Sequence, residues 1–223
     1  MSPDFAFVHR DDVAAFAREA KAAVTRMFPN YSNCPDFTNV HLDRQRQYLA
    51  MMVKDADKRG AKFEVLEVTP IDQLASVKHF PPVIVVNPPL DAQVMREEVF
   101  GRLLPIIAYD SLPGAAEQLG KLARPLAMYF IRGTAAEKEF ILKNIYAGGI
   151  SFNDVMLHPF MQEVAFGGVG ESGMGRCLGY DGFNTMLNAK GFAQRPWFDV
   201  TKYIAPPYGP DLANMMRKVL RRQ

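Results

Sequence analysis

Cysteine and histidine are scarce in this chain, which has two cysteines and four histidines among its 223 residues. Cys34 and Cys177 lie far apart, and no second cysteine stands near either of them. This spacing excludes a disulfide framework and a CxxC redox or zinc pattern. The histidines are scattered without HExxH or HxH spacing, so we expect no metal site. We interpret both cysteines as ordinary thiols, because no histidine or lysine is placed to activate them. The alternative is that one of them is a nucleophile.

Charge of one sign is not in excess either, since 26 basic and 24 acidic residues leave a formal net charge of +2. A balance this close provides no field that would recruit nucleic acid or an anionic membrane surface. No window approaches the ~20 apolar residues that span a bilayer, and the first residues carry no secretory signal pattern. We therefore expect a cytoplasmic globular protein without a nucleic-acid partner or an integral membrane segment.

Apolar and amphipathic segments alternate along most of the chain. Two amphipathic helices are predicted first, one from Asp12 to just before Pro29 and one over 43–58. Further on, the pattern predicts strands at 65–68, 83–86, 103–109, 126–131 and 149–152, with helices at 113–123 and 134–145. Short apolar strands that alternate with helices are typical of parallel strands joined by helical crossovers. The sequence therefore predicts an α/β fold with a mainly parallel sheet.

The composition changes after residue 160. A glycine-rich loop is predicted over 166–182, and a proline-rich stretch follows at 206–210. The last segment, 212–222, has one apolar face and several basic residues elsewhere, which predicts an amphipathic helix. We expect one structural body at 1–205, followed at 206–223 by a linker and this helix.

The stretch Gly168-Val169-Gly170-Glu171-Ser172-Gly173 has the spacing of the GxGxxG dinucleotide-binding fingerprint. That fingerprint requires a buried strand before the glycines and a helix that begins at them. Here the polar pair Gln162-Glu163 stands upstream, and the loop continues through further glycines. We interpret the stretch as a tight loop in which glycine permits a close approach of the backbone.

A second informative stretch is Glu97-Glu98-Val99-Phe100-Gly101. Paired glutamates near a turn are most often solvated, and a phenylalanine is most often part of a core. A functional interpretation is also possible: a carboxylate can accept both hydroxyl protons of a ribose diol, and an aromatic face can pack on a nicotinamide ring. The residues alone favour the first interpretation.

Four motifs in this order resemble those of the aldehyde dehydrogenases. They are the Glu97–Gly101 stretch, Arg124-Pro125-Leu126-Ala127-Met128-Tyr129, Gly148-Gly149-Ile150-Ser151-Phe152-Asn153-Asp154, and 166–175, which reads FGGVGESGMG. The resemblance covers nearly the whole chain and is greatest to the class 3 branch. The Pro206-Pro207-Tyr208-Gly209 tail is similar to that of bacterial coniferyl-aldehyde dehydrogenases. The resemblance implies the fold of the C-terminal catalytic-domain portion of such an enzyme.

The resemblance also implies roles for five residues. Glu98 matches the glutamate that hydrogen-bonds the nicotinamide ribose of NAD or NADP, and Phe100 matches the aromatic residue beside the nicotinamide. Asn153 falls in the segment that supports the active-site loop. Phe160 and Phe166 correspond to aromatic positions that line the aldehyde tunnel, which suits an aromatic or long apolar aldehyde.

In this family a cysteine thiolate attacks the aldehyde, and a glutamate activates the water that releases the carboxylic acid. In class 3 enzymes Pro-Asp-Tyr begins three residues after that cysteine, and Pro3-Asp4-Phe5 occupies the corresponding place here. We therefore expect the nucleophile, the glutamate base and the NAD-binding domain to lie upstream of Met1. The chain by itself is then expected to bind cofactor weakly and to be inactive. The family resemblance implies a homo-oligomer; the alternative function is a non-catalytic partner of an intact aldehyde dehydrogenase.

Overall fold

The computed structural model of the protein describes residues 3–65, 69–77, 79–195, 197 and 205–220. The chain divides into two compact units, Met1–Met186 and Leu187–Gln223. The division predicted between residues 205 and 206 stays a prediction, because 198–204 lie outside the described residues.

The larger unit is built around a four-stranded sheet. Its strands are β1 (Ala6–His9), β2 (Lys62–Val65), β3 (Val83–Val86) and β4 (Leu103–Tyr109), in the spatial order β1-β4-β3-β2. Strands β1, β4 and β3 run parallel, and β2 pairs antiparallel with β3 at the edge. The predicted mainly parallel sheet is thus confirmed, with one antiparallel edge strand.

Both faces of this sheet are covered. Helix α1 (Val13–Met27) contributes Ala17 to a cluster with Ile84 and Ile106, whereas α2 (Asp43–Lys58) packs with Val83 and Val85. Successive side chains of a strand point to opposite faces. Covering on both sides therefore explains why β3 is a continuous apolar run, as strands of parallel sheets usually are.

Two shorter helices accompany the same sheet, α3 (Gln93–Arg96) and α4 (Leu112–Leu119). Ser111 begins α4, because its hydroxyl oxygen accepts a hydrogen bond from the Gly114 amide at 3.3 Å. This helix is shorter than the predicted 113–123, since the amides of Lys121 and Leu122 donate to carbonyls three residues back instead of four.

A separate two-stranded parallel sheet follows. Strands β5 (Ala127–Phe130) and β6 (Gly149–Phe152) pair in parallel and are connected through α5 (Ala135–Asn144). The capping box predicted at the start of α5 is present. The Thr134 hydroxyl accepts from the Glu137 amide at 3.3 Å, and the Glu137 carboxylate accepts from the Thr134 amide at 2.7 Å.

Several elements differ from the predictions, and β5 and α5 are each one residue shorter at both ends than the predicted 126–131 and 134–145. Strand β2 ends at Val65, and 66–68 of the predicted strand lie outside the described residues. Strand β1 was not predicted, because a four-residue segment carries little pattern. Helix α6 (Gly179–Met186) begins inside the predicted loop 166–182; the Gly179 amide donates to the Gln162 carbonyl at 2.8 Å there.

In the smaller unit, α7 (Pro210–Leu220) is the predicted amphipathic helix, with residues 221–223 outside the described part. Within the described residues, no helix has the length and apolar character needed to cross a membrane.

Candidate active site

The turn that carries Glu98 and Phe100 is fixed by the residue between them. Val99 is 2% exposed and belongs to the core, whereas the Phe100 side chain is 73% exposed and Glu98 is also exposed. Phe100 has a positive φ of 43°, an uncommon backbone conformation for a bulky side chain. The backbone is thus anchored while the two flanking side chains remain open to a ligand.

Helix α2 holds this turn from one side. The Tyr48 hydroxyl lies 2.9 Å from the Glu97 carboxylate and 3.3 Å from the Glu98 carbonyl. The side-chain amide of Gln45 donates to the Phe100 carbonyl at 3.3 Å. Burial, followed by the hydrogen bond to Glu97, raises the pKa of Tyr48 to about 12. The tyrosine therefore stays a neutral donor over the physiological pH range.

The same contacts distinguish the two adjacent glutamates. The Glu97 carboxylate already has partners, since it accepts hydrogen bonds from the Tyr48 hydroxyl and from the side-chain amide of Gln93, the latter at 3.1 Å. Within the described part of the chain, the Glu98 carboxylate accepts no hydrogen bond and forms no ion pair. An open carboxylate and an open aromatic ring on one rigid turn fit a nicotinamide ribose and its ring.

A third contact reaches the turn from the beginning of the chain. Asp4 accepts a hydrogen bond from the Val99 amide at 3.3 Å. Burial is the main cause that raises the pKa of Asp4, and the Glu98 charge adds to it, while the Val99 hydrogen bond acts in the opposite direction. The segment that resembles the residues after the family nucleophile is therefore attached directly to the Glu98–Phe100 turn.

Asn153 follows the carboxyl end of β6 and forms hydrogen bonds with the end of β5 and the residues after it. Its amide donates to the Phe130 carbonyl, and its side-chain oxygen accepts from the Arg132 amide, both at 2.8 Å. Its φ is 61°, in the left-handed region that asparagine tolerates better than most residues. These contacts assign Asn153 a backbone-supporting position at this strand end.

An aromatic group lies beside β5 and β6. The ring of Phe166 is 5.8 Å from that of His158, which is 6.0 Å from that of Tyr129. Phe160 belongs to the short 3-10 helix that His158 begins, and its side chain is 73% exposed. Of the two predicted tunnel phenylalanines, Phe166 is therefore packed and Phe160 is open.

The glycine loop is closed at Phe166 and Cys177. Their backbones exchange two hydrogen bonds of 2.7 Å, and the Cys177 thiol donates to the Phe166 carbonyl at 3.3 Å. Inside the loop, a Cβ at Gly168 would collide with the Ser172 carbonyl. This close approach supports the interpretation of the GxGxxG spacing as a tight loop. Among the described residues, no cluster of three or more histidine, cysteine or acidic side chains could hold a metal ion.

The predicted residues form two groups, Glu98 with Phe100 on the α2 side and Asn153, Phe160 and Phe166 beside β5 and β6. Sequence reasoning missed the residues that position them, above all Tyr48 and His158. His158 was set aside as scattered. Its partner Ser151 stands seven residues upstream with its hydroxyl 2.7 Å from the histidine Nδ1, a spacing that matches no local motif.

Comparisons with known proteins identify the family of the chain. The profile of the aldehyde dehydrogenase family matches residues 1–192. The chain is 35% identical to a probable coniferyl aldehyde dehydrogenase from Caulobacter vibrioides, covering 100% of this chain and 46% of that protein. It is 33% identical to the coniferyl aldehyde dehydrogenase of Pseudomonas sp. strain HR199, covering 99% and 46%. The chain thus spans about half the length of these relatives.

Solved structures show the same fold. A substrate-bound AldH from Staphylococcus aureus superposes with a TM-score of 0.72 at 22% identity, over 98% of this chain and 46% of that one. The betaine aldehyde dehydrogenase of Staphylococcus aureus in complex with NAD+ superposes with a TM-score of 0.69 at 20% identity, over 88% and 40%. Because the family profile matches most of its length, the chain belongs to the aldehyde dehydrogenase family.

Proposed function

We propose that this chain supplies the nicotinamide-facing and aldehyde-facing walls of an NAD(P)-dependent aldehyde dehydrogenase. The enzyme would oxidise an aromatic, coniferyl-like aldehyde to the carboxylic acid. The main support is the turn at Glu98 and Phe100, where a buried Val99 holds two open side chains suited to a ribose and a nicotinamide. The relatives named coniferyl aldehyde dehydrogenases, at 33–35% identity, support the aldehyde class.

The proposed roles follow from what each side chain presents. The Glu98 carboxylate accepts the hydroxyl protons of the nicotinamide ribose, and the Phe100 ring packs against the nicotinamide. When bound, the cofactor supplies the hydride acceptor of the oxidation. Asn153 supports the end of the second sheet, and Phe160 and Phe166 contact the aldehyde.

The nucleophilic cysteine and the glutamate base are proposed to come from the part of the relatives that this chain does not span. The contact between Asp4 and the Val99 amide supports this arrangement, since it attaches the segment around Pro3-Asp4-Phe5 to the cofactor-facing turn. On this proposal the 223-residue chain alone does not turn over aldehydes, and its affinity for NAD is low.

Two activity measurements test the proposal. The purified chain is mixed with coniferyl aldehyde and NAD or NADP, and absence of NADH or NADPH formation is expected. A hybrid in which this chain replaces the matched segment of the Pseudomonas sp. coniferyl aldehyde dehydrogenase is expected to form NADH. Turnover of aldehyde by the chain alone would refute the proposal that the nucleophilic cysteine lies outside this chain.

Within the hybrid, Glu98→Gln tests the cofactor contact. Weakening a charged hydrogen bond to the ribose is expected to raise the KM for NAD by roughly tenfold or more. Glu64→Gln, an exposed glutamate on β2, is the matched control. Equal KM values for the two variants in a folded hybrid would remove Glu98 from the proposed site.

The alternative function is a non-catalytic association with a second copy or with an intact aldehyde dehydrogenase. Exposed apolar side chains in the larger unit favour it, including Tyr180 at 76%, Phe183 at 61% and Met186 at 83% exposure on α6. Contiguous exposed apolar surface is typical of interaction sites. Light scattering of the pure chain, or a pull-down with the Pseudomonas sp. enzyme, should reveal a complex; a monodisperse monomer together with no capture by the enzyme contradicts this alternative.

A further inference from the structure

His158 is the most enclosed titratable side chain of the second sheet, and the proposed function gives it no role. The residue is 4% exposed and its partner Ser151 is 5% exposed. The Ser151 hydroxyl lies 2.7 Å from Nδ1 of His158 and 3.4 Å from its backbone amide. A single serine of β6 therefore fixes both the ring and the backbone of the residue that begins the 3-10 helix.

The imidazole of this 3-10 helix residue lies against three other segments. Its ring is near Tyr129 of β5 and Phe166 of the glycine loop, with centroid separations of 6.0 Å and 5.8 Å. Its edge lies against Gly149, where an added Cβ would come within 2.7 Å of Nε2. The ring thus joins both strands, the 3-10 helix and the loop.

The Nε2 atom of this ring is buried and has no hydrogen-bond partner within the described residues. A neutral ring leaves one weakly polar atom unpaired there. A protonated ring would instead place a charged N–H against the Gly149 backbone, and burial of an unpaired charge is far more costly. The pocket therefore accepts only the neutral imidazole.

We propose that His158 is a positioning residue that holds Phe166 and the glycine loop against the second sheet only while its imidazole is neutral. Acidification protonates the ring, and because the buried Nε2 of the imidazolium has no acceptor among the described residues, the charged form favours a conformation in which the loop between Phe166 and Cys177 has left the ring. Tyr129 is the titratable side chain that faces the ring, and burial alone lowers the pKa of His158 below its usual value. The inference rests on the proposed function only for the statement that this loop faces the aldehyde.

Amide hydrogen exchange of the full chain tests the proposal without aldehyde or cofactor. The Phe166 and Cys177 amides report on the loop, and the Val83 and Asn87 amides of the four-stranded sheet serve as internal references. Between pH 7.5 and 5.5 we expect the protection factors of the loop amides to fall about tenfold, because a released histidine binds a proton in this range and the enclosed ring does not, while the references stay constant.

Two substitutions distinguish the effect of protonating the His158 ring from the effect of its hydrogen bond to Ser151. His158→Phe keeps an aromatic ring but cannot be protonated, so loop protection should become independent of pH. Ser151→Ala keeps the histidine and removes its partner, so protection should be lower at every pH. His41→Phe, at an exposed histidine, is the matched control and should behave as the unsubstituted chain.

The proposal fails if loop protection in the unsubstituted chain is constant across this pH range, or if it declines equally in His158→Phe. Should either variant not fold, the side-chain nitrogen shifts of His158 decide the question by NMR. Titration of His158 at the same pH as a histidine in a short unstructured peptide would overturn the proposal. Because no aldehyde is present, these outcomes are independent of whether Phe166 contacts a substrate.

Discussion

The carboxylate of Asp4 accepts a hydrogen bond from the backbone amide of Val99 at 3.3 Å, across almost a hundred residues of sequence. Val99 is the buried centre of the turn that presents Glu98 and Phe100. A displacement of the segment around Asp4 is therefore expected to displace the proposed cofactor-facing turn, because one hydrogen bond connects the two segments. The relationship also places two like charges, Asp4 and Glu98, close enough for the second to raise the pKa of the first.

Asp4→Asn is expected to stabilise the protein at neutral pH. Burial and the Glu98 charge raise the pKa of Asp4 above its usual value of 3.8, so the ionised form opposes folding. The stabilising contribution of the protonated group is present below the unfolded-state pKa and is lost as pH rises through the folded-state value. Asparagine keeps the acceptor for Val99 and carries no charge.

The measurement is urea unfolding of both proteins at pH 7 and near pH 3. Asp4→Asn should unfold at higher urea at pH 7 and show no advantage at the lower pH. Asp36→Asn, an exposed aspartate, is the control and should change neither value. A less stable Asp4→Asn at pH 7 would contradict the prediction.

Tyr48→Phe is expected to lower the free energy of unfolding at neutral pH and to abolish the part of its decrease in alkaline solution that the tyrosine hydroxyl causes. The hydroxyl binds Glu97 at 2.9 Å, and its removal should cost about 1 kcal/mol. The pKa of Tyr48 is raised to about 12 from its usual value of 10.0. Its contribution is therefore complete below pH 10 and is lost as pH rises from the unfolded-state to the folded-state value.

Free energies of unfolding at pH 8 and pH 11 test this change. The difference between the unsubstituted chain and Tyr48→Phe should shrink at the higher pH. Tyr180→Phe, at a side chain that is 76% exposed, serves as the control. A constant difference at both pH values would show that the tyrosine hydroxyl does not titrate differently in the folded state.

Gly101→Ala is expected to displace the Glu98–Phe100 turn. An added Cβ would collide with the side chain of Leu49, which is 0% exposed, so Leu49 could make room only by shifting within the core. Overpacking of this kind costs about 1–3 kcal/mol. Gly120→Ala is the control, because its Cβ would meet only atoms at 3.4 Å. Chemical unfolding should rank the two variants, and equal stabilities would show that Leu49 rearranges freely.

The elements with the clearest sequence pattern could be predicted, and their bounds agree closely. Helix α2 has the predicted bounds, as do strands β3, β4 and β6, because an apolar stripe or run and a glycine stop define them. The capping box of Thr134 and Glu137 was readable for the same reason, since its two partners lie within one helical turn.

The positions of the site residues depend on contacts that no local pattern contains. Asp4 meets Val99, and Tyr48 meets Glu97, over long sequence separations, so neither pair could be inferred from spacing. Only the family resemblance selected Glu98 over Glu97. In the structure Tyr48 and Gln93 contact the Glu97 carboxylate, while the cofactor contact of Glu98 stays a prediction. The separation into two sheets is likewise decided by tertiary packing.

Substitutions at Asn153 are expected to separate its backbone conformation from its side-chain contact. Asp keeps an acceptor for the Arg132 amide and tolerates the φ of 61°, so Asn153→Asp should be nearly neutral. Asn153→Gly keeps the conformation and loses the acceptor, at about 1 kcal/mol. Asn153→Ala loses both and should cost about 2 kcal/mol.

Asn87 offers a matched position for this series. It follows β3 with a φ of 51°, and its side-chain oxygen accepts from the Ala108 amide at 2.7 Å, as Asn153 does for Arg132 after β6. The same order of urea midpoints, Asp above Gly above Ala, is expected at both sites. Equal midpoints for Gly and Ala would show that the left-handed conformation carries no cost. In the hybrid enzyme, Asn153→Asp should keep most of the kcat, because a backbone support needs only the acceptor oxygen; a loss of about 100-fold or more would instead indicate a direct role in catalysis.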